Sequence, residues 1–209
     1  MSVVPAPSVA PRPTRTGNAA RATGRIGRGL RSYLWVLAVF TLGNSSDAFL
    51  LLRAQEAGVA LPLIPLLWAF HHVVKSSAST WAGSLSDRAG RRKAILAGWA
   101  VYAFAYAGFA LVRRPVEVFL LFAVYGLFHA LTEGPERALV ADLAGPEARG
   151  RAFGLYHAVT GAMLLPASLL TGFLWQRFGA NVALSTGAAL AAVAAVGLLL
   201  VVPEPRRAG

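Results

Sequence analysis

Seven ionisable side chains, Asp47, His71, His72, Lys75, Glu133, Glu136 and Arg137, stand in sequence that is otherwise largely apolar. Ionisable groups within apolar membrane-length segments are costly, so they mark substrate paths, proton relays or gates. Asp47 closes the run Asn44-Ser45-Ser46-Asp47, and His71-His72 lie one apolar segment further on. Histidine titrates near neutral pH, so an Asp–His pair could take up and release a proton. Asn44, Asp47, His71 and His72 are therefore the candidate substrate or proton site. The plainer alternative has Asp47 bonded to its own serines or a backbone group, and His71 facing a partner. Lys75 follows His71 by four residues on the same helical face, and a Lys75–Glu133 pair is expected. Glu133 and Arg137 have the i,i+4 spacing of a local ion pair. Lys75, Glu133, Glu136 and Arg137 form the candidate cytoplasmic gate network. His129 and His157 read as packing residues. Four scattered histidines and no cysteine make no metal-ligand spacing, so no metal or cofactor is expected. No nucleophile-elbow pattern is present, which argues against an enzyme.

These residues need a membrane scaffold to hold them. The 209-residue chain is 56% hydrophobic and 14% charged. Soluble domains are about 45–50% apolar and about 25% charged. Six apolar segments of about 19–24 residues can each cross a hydrocarbon core of about 30 Å. They run from Tyr33 to Leu52, Pro62 to Ala82, Ala94 to Val112, Glu117 to Val140, Ala152 to Trp175 and Ala180 to Val202. The expectation is an all-α integral membrane protein, a six-transmembrane-helix bundle with short links. Continuous apolar runs, rather than alternating ones, exclude barrel strands. In this frame Asp47 lies about 21 Å in from Tyr33 and His71 about 13 Å in from Pro62, so the two reach similar depth from opposite sides.

Residues 1–32 hold four prolines, four glycines and six arginines with no acid, and read as a disordered basic tail. An organelle transit peptide is the weaker reading of the same composition. Residues 203–209 form a short second tail. Fifteen Lys and Arg fall on the side of both termini and the Gly83–Lys93 turn, against four on the other side. Positive residues are enriched on the cytoplasmic side, so both termini are expected there, in a plasma or inner membrane. The net charge of +11 is explained by this flanking placement, and a nucleic-acid partner is not expected.

The turn Gly83-Ser84-Leu85-Ser86-Asp87-Arg88-Ala89-Gly90-Arg91-Arg92-Lys93 reads G-x-x-x-D-R-x-G-R-R-K. It resembles the signature loop of the major facilitator superfamily (MFS), carried here by Gly83, Asp87, Arg88, Gly90, Arg92 and Lys93. Glu136-Arg137-Ala138-Leu139-Val140-Ala141-Asp142-Leu143, followed by Pro146-Glu147-Ala148-Arg149-Gly150-Arg151, is similar to the family's turn between the fourth and fifth helices of a half. Asn44-Ser45-Ser46-Asp47 and Thr132-Glu133-Gly134 resemble the C-terminal half in particular. The resemblance implies a secondary transporter that moves a small-molecule solute across the lipid bilayer by alternating access, without a cofactor. It places the first and fourth helices at a cavity, the second and fifth between halves, and the third and sixth toward lipid. Family members typically have two six-helix halves. One half implies a partner, either a homodimeric copy or a separate chain. The alternative is a truncated or non-transporting relative that acts as an assembly partner or is inactive.

Overall fold

The computed structural model describes residues 26–203. Among these are seven α-helices and two short 3-10 turns. The helices are α1 (Arg28–Gly43), α2 (Ala48–Glu56), α3 (Ile64–Ala89), α4 (Arg91–Leu111), α5 (Pro115–Ala144), α6 (Arg149–Phe178) and α7 (Ala180–Val201). Helices α1 and α2 form one interrupted rod, so six long rods are present, as expected for an all-α membrane bundle. Five of the rods are long and apolar enough to cross a membrane. The exception is α3. It has 26 residues, but His71, His72, Lys75 and a run of Ser and Thr lower its apolarity.

Three boundaries differ from the sequence expectation. The first segment is not one helix: residues 44–46 are non-helical and Asp47 begins a turn. Asn, Ser and Asp side chains compete for backbone hydrogen bonds, and Ser46 Oγ indeed accepts from the Ala48 N–H at 3.4 Å. The expected Gly83–Lys93 loop is mostly helix, because nothing from Ser84 to Ala89 stops α3. Gly90 alone makes the turn, at φ 103°, a conformation side chains rarely adopt. Of the expected basic tail, Arg28–Ser32 already belong to α1, and 1–25 lie outside the described residues, as do 204–209.

Packing centres on α4, which lies against α5 and α7. Helix α3 lies along α5, α1 packs on α7, and α6 leans on α1 and α7 with a lighter contact to α5. Lipid is as apolar as leucine, so close fit and interhelical hydrogen bonds must hold such a bundle. An aromatic seam supplies the fit: Phe40 stacks on Trp99 at 4.4 Å, Tyr102 on Tyr106 at 4.1 Å and Tyr125 on Phe128 at 5.6 Å. Glycines let the rods approach. A Cβ on Gly126 would sit 3.1 Å from the His71 carbonyl, so its absence brings α5 onto the α3 backbone. Arginine closes helix ends: Arg53 donates to the carbonyls of Phe109 (3.0 Å) and Val112 (2.9 Å) at the end of α4.

Candidate functional site

Tyr125, His129 and Glu133 recur every four residues on α5 and so share one face. His71 and Lys75 have the same spacing on α3, which packs alongside. The two stripes meet. His71 is buried, with Nδ1 3.3 Å from the Phe122 carbonyl, a bond that requires the proton on Nδ1. Its ring stacks on Tyr125 at 5.1 Å and on Trp68 at 5.3 Å. Asp47, at the break between α1 and α2, accepts a 2.5 Å hydrogen bond from the Tyr125 hydroxyl. Asp47 and His71 thus converge on one tyrosine. His72 is exposed and touches Trp68 edge-on. Asn44 is half-buried, and its backbone N–H closes the end of α1 onto the Phe40 and Thr41 carbonyls.

The break is lined with hydroxyls. Tyr102 donates to the Gly43 carbonyl at 2.8 Å. Ser45 Oγ and the Tyr106 hydroxyl, both buried, lie close to one another without the geometry of a hydrogen bond. Unsatisfied polar groups at membrane depth are tolerated chiefly beside a cavity or within protein.

Nearer the other end of the same stripe, Lys75 donates to Glu133 at 2.5 Å, and His129 lies 3.4 Å from the same carboxylate oxygen. The carboxylate looks across to Lys75 rather than along its own helix to Arg137. Glu136 does not join this group. Three residues along a helix rotate it by about 60° from Glu133, and it faces Trp99 and Tyr156 instead. Arg137 is exposed.

In the signature turn, Asp87 lies exposed in the last turn of α3, and a Cβ on Gly83 would meet nothing within 4 Å. Arg88 and Lys93 also lie exposed at the surface. Arg91 pairs with Asp142 and donates to the Ala138 carbonyl at 2.7 Å, tying the start of α4 to the end of α5. Arg92 donates to the Leu199 carbonyl near the end of α7.

Tyr125, Trp99, Tyr156 and the Arg91–Asp142 pair are contacts that the sequence does not single out, and His129, expected as a packing residue, also reaches the Glu133 carboxylate. The four-residue recurrence of Tyr125, His129 and Glu133 was the signal available for two of them.

The chain is 32% identical to the "Uncharacterized MFS-type transporter MJ1317" of Methanocaldococcus jannaschii, over 96% of this chain and 52% of that protein. It is 28% identical to the "Multidrug resistance protein MdtH" of Aeromonas salmonicida, over 88% of this chain and 45% of the relative. The Klebsiella pneumoniae protein of the same name is 28% identical over 65% of this chain and 34% of its own. The chain thus spans about half the length of the curated relatives it matches. Its apolar rods make it a multi-pass membrane protein, and a sequence model described as Major Facilitator Superfamily matches residues 33–209, so the chain belongs to the major facilitator superfamily of membrane transporters.

Proposed function

We propose that this chain moves a small solute across the plasma membrane by alternating access, as one six-helix half of a transporter completed by a second half. The second half is another copy or a separate chain. The observation that carries the reading is Asp47, a carboxylate in the break of the first rod, held by Tyr125 against the His71 stack. Interrupted helices at membrane depth present backbone and side-chain groups to a cavity. Asp47, with Asn44 beside it and His71 and His72 opposite, is the solute or proton site. The Lys75–Glu133 pair, with His129, acts as the cytoplasmic gate. The Gly90 turn, with Gly83, Asp87, Arg88, Arg92 and Lys93, links α3 to α4 on the side where both termini lie, the cytoplasm. The name of the multidrug resistance relatives suggests drug-like organic molecules as the first solutes to assay.

The test is uptake of a panel of such solutes into vesicles that contain the chain in its native assembly. Asp47→Asn should abolish uptake while membrane insertion is retained. Unchanged uptake by the variant sinks the assignment of Asp47. Absence of transport by the wild type in every assembly favours the non-transporting alternative.

A further inference from the structure

Glu136 is the one charged residue among the described residues that is buried, at 7% exposed. It lies where α4, α5 and α6 meet. Trp99 Nε1 of α4 donates to Oε1 at 3.1 Å, and the Tyr156 hydroxyl of α6 donates to Oε2 at 3.0 Å. Both donors are neutral, and none of the ion pairs found among the described residues includes this carboxylate. A second observation is independent of those bonds. The Tyr33 hydroxyl of α1 is completely buried without a hydrogen-bond partner, within electrostatic range of both Glu136 and Tyr156.

We propose that Glu136 is a proton-binding residue, separate from the Asp47 site, whose charge state sets how firmly α6 is held to the rest of the bundle. In either charge state the carboxyl group accepts the bonds from Trp99 and Tyr156, and the neutral acid carries its proton on a remaining lone pair. The other charged groups within electrostatic range of the carboxyl are Glu133 and Arg137, both on α5 itself and pointing away from it. Hydrogen bonds to a charged acceptor are about twice as strong as neutral ones. The charged form therefore ties Tyr156, and with it α6, to α5, and proton uptake loosens that tie. Helix α6 is the rod free to respond, since Ala152, Ala167 and Thr171 are its only buried residues. In that reading the coupling ion is a proton, which rests on the transporter proposal, whereas proton binding itself does not.

The experiment is infrared difference spectroscopy of the full chain in lipid vesicles, titrated from acid to alkaline pH. The wild type should show a carboxylic-acid carbonyl band that disappears as pH rises. Glu136→Gln should lack it, and Tyr156→Phe should retain it at a shifted frequency because the acid has lost a donor. A wild-type spectrum identical to that of Glu136→Gln, or a band that Tyr156→Phe leaves in place, overturns the proposal. If Glu136→Gln fails to insert, the Tyr156→Phe shift still decides. None of these outcomes depends on transport, so failure of the transport reading and failure of proton binding are separately visible.

Discussion

At the scale of residues, Tyr125 joins the parts. Its hydroxyl serves Asp47 while its ring carries His71. A hydrogen bond to a charged group contributes about 1.5–3 kcal/mol. Tyr125→Phe keeps the ring and deletes only that bond, so transport efficiency should fall about 10–100-fold. The same change made on an Asp47→Asn background should cost much less, because the bond already lacks its charge. Equal losses on both backgrounds would show that Tyr125 acts apart from Asp47; initial rates in the four vesicle preparations decide. The cost of burying charge made Asp47, His71, Lys75 and Glu133 legible from sequence. Tyr125 was not legible, because a tyrosine on an apolar helix is equally at home as packing. Glu136 was misgrouped for a related reason. Closeness in sequence suggested one network, and the 60° turn between Glu133 and Glu136 (about one-sixth of a circle) separated them.

At the scale of elements, six rods and the short connections between them were readable from hydrophobic length, whereas their interruptions and exact ends were not. Polar residues flanked by apolar ones still look like one span when hydropathy is averaged, so the Asn44–Asp47 break stayed hidden. Charge made Gly83–Lys93 look like a loop, yet arginine and lysine are good helix formers and only Gly90 breaks the chain. The crossing of α1 and α7 shows what composition alone cannot give. A Cβ on Gly187 would lie 2.8 Å from the Gly43 carbonyl and 2.9 Å from the Tyr106 ring, and one on Gly43 would lie 2.9 Å from the Gly187 carbonyl. Neither backbone can yield without moving a helix. Gly187→Ala should therefore destabilise the bundle by about 1–3 kcal/mol, although alanine is the better helix former by about 1 kcal/mol. Gly134→Ala, where a Cβ meets nothing within 4 Å, is the control and should be neutral or stabilising. Thermal unfolding in detergent compares them, and equal stability of Gly187→Ala and the wild type would contradict the close crossing.

At the scale of the whole molecule, the question is what α6 faces. Gly150, Gly154, Ala158 and Ala162 recur every four residues along it, all exposed, and nothing lies within 4 Å of a Cβ on Gly150 or Gly154. In lipid, small residues at this spacing let a second helix approach closely, and that packing drives association. Helix α3 is similarly open, with Val73 62% and Trp81 58% exposed. These two rods are the ones the family resemblance assigns to the contact between halves. If the second half docks there, Gly154→Leu combined with Ala158→Leu should leave the isolated six-helix bundle as stable as the wild type, because the added side chains meet no neighbour within it and leucine suits a helix. The same pair of changes should abolish association, since two bulky side chains hold the incoming helix off along a full turn. Native mass measurement in detergent, before and after cross-linking in the membrane, reads both quantities. An assembled complex that survives the double substitution removes α6 from the interface. A bundle that itself unfolds would mean that this face already packs against α1 or α7, contrary to its exposure.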